Sequence, residues 1–301
     1  MTQLRKPVWL KVSGTRSAGY LAVDQLLQEQ QLQTVCFSAR CPNRGGCWQE
    51  GTAAFMILGG VCTRNCAFCA VPSGKPAALD REEPSRLLAV VRRLGLRHVV
   101  ITSVDRDDLA DGGASQFVAC VHALREGALA NSPSIELLTP DFRGKEGALE
   151  QVLASAPEVF NHNMETVARL YPRLRPAARY DYSLQVLAQA SAYGLCSKSG
   201  IMLGLGEEQG EVEALLEDLR AAGVAIVTIG QYLQPTRTHQ PVERYVPPEE
   251  FIYWQERAEM LGFEAVESHP LARSSFHALQ LLDGVEKGGS IKKMQSAVMT
   301  P

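Results

Sequence analysis

The sequence predicts an α/β protein in which helices cover a parallel sheet. Beyond residue 50, short apolar runs rich in β-branched residues alternate with segments whose apolar residues recur at helical spacing. This alternation is typical of parallel sheets, because the chain must cross over before it starts the next parallel strand. About six such units fit between residues 54 and 232. A chain of 301 residues can enclose them in one large domain or two.

The predicted strands are short, and polar residues follow several of them. In chain order they are AFMILGG, HVVITS, IELLT, VFNHN, SGIMLGLG, VAIVTIGQ and FEAVES. If the strands form a barrel or part of one, their carboxyl ends make the ligand-binding rim. The polar residues expected at this rim are Thr102, Ser103, Asp105, Asn161, Asn163, Lys198, Glu207 and Gln231.

Three helices carry their own sequence signals. PSRLLAVVRRLG places leucine and valine on one stripe and ends at a glycine, and EEQGEVEALLEDLRAAG repeats this form. PPEEFIYWQERAEMLG begins with prolines, which suit the first turn of a helix because no intrahelical hydrogen bond is needed there.

The two ends of the chain do not follow the alternation. The first 50 residues hold one predicted helix, YLAVDQLLQEQQL, and a loop with cysteines, and no strand pattern follows Phe276. We therefore predict a partial (β/α)6 TIM-like barrel over residues 51–270, an N-terminal extension over 1–50 and a C-terminal tail over 271–301.

The composition does not favour a nucleic-acid or membrane partner. Formal net charge is -3, the sequence pI is about 6.1, and Lys and Arg are spread through the chain. The N-terminus lacks the apolar core of a secretory signal, and no stretch approaches the roughly 20 apolar residues that span a bilayer. These patterns indicate a cytoplasmic protein that binds neither membranes nor nucleic acids.

Three cysteines after the first predicted strand give the strongest functional signal. Cys62, Cys66 and Cys69 lie in CTRNCAFC, on one short loop. Thiolate is the usual ligand of iron-sulfur clusters, and three thiolates on a 4Fe-4S cluster leave one iron open to another ligand. The alternative is a zinc site completed by a fourth ligand such as histidine.

A second group of three cysteines lies earlier in the chain. Cys36, Cys41 and Cys47 are separated by four and five residues, and six of the eight cysteines fall between Cys36 and Cys69. Such clustering without an export signal favours metal binding over disulfides. A second cluster, a zinc knuckle and structural cysteines all fit the spacing.

The first group resembles the signature of the radical S-adenosylmethionine (SAM) superfamily at Cys62, Cys66, Phe68 and Cys69. The resemblance implies that the open iron binds the amino and carboxylate groups of SAM and that Phe68 packs near the adenine. One electron then cleaves SAM to methionine and a 5′-deoxyadenosyl radical, while the protein orients the cofactor.

Further motifs resemble the lipoyl synthase family, in order, over roughly residues 35–278. They are CPNRGGCW, MILGGVCTRNCAFC, TSVDRDDLADGGA, NHNMETVARLYPRLRPAARY, KSGIMLGLGE, GQYLQPTRTHQPVERYVPPEEF and RSSFHA. The resemblance implies two 4Fe-4S clusters. It assigns the earlier cysteine group to an auxiliary cluster, with Ser275 of the RSS motif as the fourth ligand and Ser274 as the alternative.

The resemblance also implies the reaction. Two sulfur atoms taken from the auxiliary cluster enter at C6 and C8 of an octanoyl chain carried on a lysine of a lipoyl carrier domain. Those carbons bear unactivated C-H bonds, which a primary alkyl radical can attack and an ordinary base cannot. The implied partners are the octanoylated lipoyl carrier domain or protein, a ferredoxin or flavodoxin-type electron donor and a cluster-assembly carrier. No catalytic residue beyond the cluster ligands is predicted.

The expected SAM contacts lie on the rim. Ser103 and Asp105 occupy the segment that contacts the methionine amino group in radical SAM enzymes, and Arg175 could pair with the SAM carboxylate, an acidic carrier or a surface carboxylate. The remaining expected contacts to SAM or substrate are Asn161, Lys198, Glu207 and Gln231.

One residue departs from the family pattern. Tyr182 stands where the family has arginine, which leaves room for a related radical SAM sulfurtransferase acting on a different acceptor, as biotin synthase does. The RSS motif and the spacing of the earlier cysteines favour the lipoyl interpretation. A non-catalytic protein with zinc at both cysteine groups is the alternative from another class.

Overall fold

The frame of the protein is a single open sheet. The computed structural model describes residues 4–11, 18–39, 41, 43–44, 47, 54–127 and 132–287. In this part of the chain eight strands lie side by side in chain order. They are β1 (Gln33–Thr34), β2 (Ala54–Ile57), β3 (His98–Ser103), β4 (Ser134–Leu138), β5 (Val159–Asn161), β6 (Cys196–Leu203), β7 (Ile226–Gln231) and β8 (Ala265–Ser268).

Parallel pairing runs from β2 to β8, and only the pair β1 and β2 is antiparallel among the described strands. The edge strands β1 and β8 do not pair with each other in the described residues, so the barrel stays open. The predicted partial TIM-like α/β barrel is therefore confirmed. Strands β2 to β7 supply the six predicted units, and β8, the FEAVES run, adds one more parallel strand.

Helices cover the sheet. They are α1 (Ala18–Glu29), α2 (Val35–Ser38), α3 (Glu83–Leu94), α4 (Ala114–Glu126), α5 (Ala148–Ala154), α6 (Tyr171–Leu174), α7 (Tyr180–Ala192), α8 (Gln209–Ala221) and α9 (Pro248–Met260). Residues 278–287 are also helical. The glycine stop predicted for α3 is present, since Gly95 caps that helix in the left-handed region at φ 60°.

Two apolar cores hold these layers together. The first surrounds β2 to β4 and includes Phe55 and Phe117, and the second surrounds β6 and β7 and includes Leu216, Phe251 and Trp254. Every residue of β2 is buried, as expected for a parallel strand covered on both faces. This packing fixes the strands so that their carboxyl ends open at one end of the barrel.

The N-terminal extension contributes to the sheet, which its sequence does not indicate. Gln33 pairs with Met56 and Thr34 with Phe55, so β1 borders β2. The hydroxyl of Thr34 then accepts a hydrogen bond from the amide of Phe37 at 3.3 Å, which caps α2. The predicted domain boundaries stay predictions. Within the described ranges, no helix combines the length and the apolar composition that crossing a bilayer requires.

Candidate active site

The cysteine loop leaves the carboxyl end of β2 and folds back on itself. The amide of Cys62 donates to the carbonyl of Pro72 at 2.8 Å, and the amide of Gly74 donates to the carbonyl of Cys62 at 2.9 Å. Within the loop, the amide of Cys69 donates to the carbonyl of Cys66 at 3.1 Å. The backbone therefore holds the three cysteines in a closed turn at the mouth of the barrel.

The three cysteine side chains of this loop are partly buried and carry free thiols. Burial raises the pKa of Cys62 and of Cys69 to about 11 and that of Cys66 to about 12. After burial, charge on Cys69 raises the pKa of Cys66 further, and charge on Cys62 does the same for Cys69. Such thiols are protonated at neutral pH, and binding of iron would displace their protons.

Arg64, inside the cysteine motif, joins the loop to three carboxylates of neighbouring rim segments. Its Nε and Nη2 donate to the two oxygens of Asp107, both at 2.8 Å. Nη2 also donates to Asp141 Oδ1 at 2.7 Å, and Nη1 lies 3.3 Å from Asp105 Oδ1. Because the Arg64 side chain is only 6% exposed, these pairs are shielded from solvent. One side chain thus fixes the loops after β2, β3 and β4 relative to each other.

Asp105 lies directly against the cysteine loop. The Cys62 thiol donates to Asp105 Oδ2 at 3.5 Å, and the amide of Thr63 donates to the Asp105 carbonyl at 3.0 Å. Burial raises the pKa of Asp105, while the Arg64 guanidinium opposes that rise. The carboxylate predicted at the rim is therefore next to a predicted cluster ligand.

Several buried polar atoms at this end of the barrel have no hydrogen-bond partner within the described residues. Those near the strand ends are Ser103 Oγ, Thr139 Oγ1, Asn161 Oδ1, Thr166 Oγ1 and Arg175 Nε. A buried polar atom without a partner costs about 1–3 kcal/mol, so the mouth is suited to a polar ligand. These donors and acceptors fit the amino, carboxylate and hydroxyl groups of SAM. The loop also supplies three thiols, the ligand number for three corners of a 4Fe-4S cluster, although no three metal-binding side chains among the described residues are already arranged around one point.

Arg175 lies near Cys66 of the cysteine loop. Its Nη1 donates to the carbonyls of Asn163 and Met164 at 2.9 and 3.2 Å and to the hydroxyl of Tyr171 at 3.0 Å. Although burial raises the pKa of Cys66, the Arg175 guanidinium lowers it. This charge is therefore close to Cys66, and a pairing of Arg175 with the SAM carboxylate stays a prediction.

Three charged residues of the site were not predicted from the sequence. Arg64 lies between two cysteines of the motif, and Asp141 follows β4 just as Asp105 follows β3. Both positions are visible in the sequence, but their pairing is not. Glu165 adopts a left-handed φ of 67°, and its charge adds to the burial that raises the pKa of Cys66 and Cys69.

Lys198 and Asn161 point toward an internal carboxylate. Lys198 Nζ lies 3.0 Å from Glu136 Oε2, and both side chains are 0% exposed. The amide nitrogen of Asn161 donates to Glu136 Oε1 at 2.7 Å, which leaves its Oδ1 as the unpartnered atom. Asn161 can therefore offer an acceptor to a ligand, whereas Lys198 already has a buried ionic partner. Their SAM or substrate contacts stay predictions.

Glu207 and Gln231 are engaged with the backbone of the rim. The two carboxylate oxygens of Glu207 accept from the amides of Gly204 and Leu205 at 2.6 and 2.8 Å. Gln231 accepts from the amide of Val246 at 2.8 Å, and its nitrogen donates to three carbonyls. Both residues hold the loops that shape the site, and direct ligand contact stays a prediction.

Two further predicted positions lie at the edge of the site. Phe68 is half-buried and packs on the second apolar core. Tyr182, the departure from the family pattern, is half-buried on α7 and packs on the first core. Burial raises the pKa of Tyr182, and Asp141 raises it further, so this phenol lies near the Arg64 network.

The loop of the earlier cysteine group contacts residues 271–275, which include the RSS motif and are called the RSS segment below. The amide of Cys41 donates to the carbonyl of Cys36 at 3.1 Å, and the amide of Cys47 donates to that of Asn43 at 2.9 Å. The side-chain amide of Asn43 donates to the carbonyl of Leu271 at 2.7 Å across 228 residues of sequence. The rest of the CPNRGGCW loop lies outside the described residues.

The two serines of the RSS motif differ in their contacts. Ser274 Oγ donates to Asn163 Oδ1 at 2.9 Å. This approach is close because Gly200 lies beneath it, where a Cβ would come within 2.8 Å of the Ser274 oxygen. Ser275 is half-buried, and no hydrogen bond to its hydroxyl is found within the described residues. The segment thus contacts both the loop of the earlier cysteine group and the barrel rim.

Comparison with known proteins assigns the chain to a family. A family model described as the radical SAM superfamily matches residues 56–219, more than half of the chain. Streptococcus suis SuiB bound to S-adenosylmethionine is 12% identical, with a TM-score of 0.57 over 72% of this chain and 50% of SuiB. Methylornithine synthase, PylB, is 15% identical, with a TM-score of 0.54 over 82% of each chain.

HydG, a maturase of the [FeFe]-hydrogenase, is 13% identical, with a TM-score of 0.52 over 75% of this chain and 62% of HydG. At these identities the likeness shows a shared fold. The chain spans about half the length of SuiB.

Proposed function

The chain belongs to the radical SAM superfamily, and from that premise we propose that it is a lipoyl synthase. In this proposal it inserts sulfur at C6 and C8 of an octanoyl chain carried on a lysine of a lipoyl carrier domain. The observation that carries the proposal is the contact between the earlier cysteine group and the RSS segment, made by Asn43 and Leu271. That contact holds the segment with the proposed serine ligand against the loop with the three proposed cysteine ligands.

The chain offers ligands for two clusters. Cys62, Cys66 and Cys69 would hold the SAM-binding cluster, and the auxiliary ligands would be Cys36, Cys41, Cys47 and Ser275. When bound, the first cluster supplies the electron that cleaves SAM and the auxiliary cluster supplies the sulfur.

Ser275 is favoured over Ser274 as the auxiliary ligand. The hydroxyl of Ser274 is engaged with Asn163, whereas that of Ser275 has no hydrogen bond within the described residues. Serine oxygen is a poorer iron ligand than thiolate, which suits a cluster that gives up sulfur during the reaction.

The barrel residues position the substrates of the reaction. The unpartnered atoms of Ser103, Asn161 and Arg175 would bind the polar groups of SAM. Arg64 keeps the cysteine loop in register with the rim, because it bonds carboxylates on two other loops. Ordered binding of this kind brings the reacting atoms together and lowers the entropic cost of the reaction.

Mass spectrometry of an octanoyl-lysyl peptide tests the proposal. The protein is reconstituted with iron and sulfide and incubated anaerobically with the peptide, SAM and dithionite. We expect product with two added sulfur atoms and formation of 5′-deoxyadenosine. If 5′-deoxyadenosine forms and the peptide is unchanged, the octanoyl substrate is wrong and a different sulfur acceptor takes its place.

Two neighbouring variants locate the fourth auxiliary ligand. Ser275→Ala should still cleave SAM but add no sulfur. Ser274→Ala, the matched control, loses one hydrogen bond to Asn163 and should still add sulfur. The reverse pattern would assign the ligand to Ser274. Full sulfur insertion by both variants would remove serine ligation from the proposal.

A further inference from the structure

A cavity of about 470 Å³ opens beside the carboxyl end of β7. Its lining residues are Leu4, Arg5, Lys6, Leu233, Gln234 and Tyr245. Leu233 and Gln234 follow β7 directly, so the cavity lies at the same end of the barrel as the cysteine loop. Its volume is within the range of ligand-binding sites, roughly 300–1,000 Å³. No step of the proposed chemistry uses it.

The segment that borders the cavity is anchored but leaves apolar side chains exposed. Leu10 ends the short 3-10 helix Val8–Leu10 and is fully buried, which fixes residues 4–11 on the protein. Val8 is 76% exposed and Trp9 is 45% exposed. Aromatic side chains beside arginine are enriched in protein interfaces, so this surface has the character of a contact site.

The segment is also positively charged. Arg5, Lys6, Lys11 and Arg16 precede the first acidic residue of the sequence, Asp24. The ion pairs formed among the described residues include neither Arg5 nor Lys6. Burial lowers the pKa of Lys6, and the positive charge of Arg273 in the RSS segment lowers it further. Cations therefore accumulate between the cavity and the RSS segment.

Three other basic residues near the barrel mouth already pair with carboxylates. Arg169, Arg179 and Arg244 each bond a carboxylate of the chain itself at 2.6 Å. A partner would have to displace that carboxylate to bind there. Arg5 and Lys6 carry no such cost, so they are the better cations for an acidic partner.

We propose that the cavity and residues 4–11 form the docking surface for the carrier domain, with Arg5 and Lys6 binding acidic residues of that domain. This inference rests on the proposed function, because it takes the carrier as the partner. A carrier must be held beside the mouth while its lysine-borne chain reaches the cysteine loop. Charge complementarity of this kind mainly speeds association and fixes the register of the partner. Trp9 and Val8 supply the apolar part of the contact.

Charge reversal at the cavity tests the inference. The double variant Arg5→Glu/Lys6→Glu is compared with wild type on two substrates, an octanoylated carrier domain and a short octanoyl-lysyl peptide without acidic residues. Dithionite supplies the electrons, so no protein donor is present. We expect kcat/KM for the carrier domain to fall at least tenfold, with a weaker dependence on salt, and activity on the peptide to stay within twofold of wild type.

The control is Arg92→Glu/Arg97→Glu, which changes the net charge equally. Both residues are exposed, and Arg97 precedes β3 at the opposite end of the barrel. This variant should have the same kcat/KM as wild type on both substrates. Equal effects of the two variants on the carrier would show that only net charge matters and would overturn the inference.

The remaining outcomes separate this inference from the proposed function. Wild type that adds no sulfur to either substrate refutes the proposed function itself. Unchanged carrier activity in Arg5→Glu/Lys6→Glu refutes the docking surface alone. Loss on both substrates also refutes it, because the cations would then support the fold or the clusters. A further arm replaces dithionite with flavodoxin. If Arg5→Glu/Lys6→Glu is impaired only in that arm, the surface binds the electron donor and the carrier-docking inference is refuted.

Discussion

Replacing Lys198 with methionine should destabilise the barrel by about 3–5 kcal/mol, the usual cost of leaving one charge of a buried pair without its partner. Lys198 Nζ and Glu136 Oε2 are 3.0 Å apart, and neither side chain is exposed. The variant keeps a side chain of similar length but removes the cation. Glu136 then retains only the amide of Asn161 and the nearby His98 ring.

The pKa of Glu136 reflects the combined effect of its partners, of which Lys198 contributes most. Burial alone would raise it, but Lys198 and His98 outweigh burial and lower it to about 2. Relative to the ordinary value of 4.5, this corresponds to about 3 kcal/mol of stabilisation at neutral pH. The folded-state pKa is depressed, so this stabilisation is complete above pH 4.5 and is lost as the pH falls toward 2.

Urea denaturation followed by tryptophan fluorescence at pH 7 measures the effect. Glu136→Gln/Lys198→Met removes both charges and should recover most of the loss. Lys75→Met, at an exposed position, is the control and should change the free energy of unfolding by less than about 0.5 kcal/mol. If Lys198→Met were as stable as wild type but raised the KM for SAM, Lys198 would be a SAM contact and the argument would be refuted. A double variant no more stable than the single one would also contradict it.

Three other substitutions probe the rim. Burial lowers the pKa of His162 to about 4 from 6.5, so the stability linked to this residue is complete above pH 6.5 and is lost as the pH falls toward 4. His162→Gln should flatten that dependence in urea midpoints measured from pH 7 to 4.5, and an unchanged slope would contradict the assignment. Arg64→Lys should lower the iron bound after reconstitution, because lysine cannot bond both oxygens of a carboxylate, whereas Arg86→Lys at a more exposed pair should not. Gly204→Ala should cost more than about 3 kcal/mol, since φ is 95° and a Cβ would lie 2.6 Å from a carbonyl oxygen. Gly262→Ala, at φ 88° with no atom within 4 Å, should cost only about 1–2 kcal/mol in thermal unfolding.

The strands and helices were predictable because their signals are local. The predicted strands between residues 54 and 231 are apolar runs. Gly95 follows an amphipathic pattern, where glycine typically ends a helix. Strand β1 was not predictable. It is two residues long, and only its pairing with β2 defines it.

The site shows the same division between local and distant signals. Cysteine spacing within one loop is a local signal, since the three cysteines lie within eight residues, and their role as cluster ligands stays a prediction. Arg64 and Asp141 are 77 residues apart, and no local pattern indicates such a pair. Lys198 shows that a polar residue can be recognised in the sequence while its partner cannot. A polar residue on a buried strand gives the same pattern whether it faces a ligand or, as with Glu136, an internal carboxylate.

Hydrogen bonds of the RSS segment link the two cysteine groups. The first residue of this segment, Leu271, accepts a hydrogen bond from Asn43 of the earlier cysteine loop, and Ser274 donates to Asn163 at the rim. Asn163 in turn donates to Glu165 at 3.0 Å, and the charge of that carboxylate acts on the thiols of the SAM-binding loop. Ser274, Asn163 and Glu165 therefore join the RSS segment to the loop of Cys62, Cys66 and Cys69.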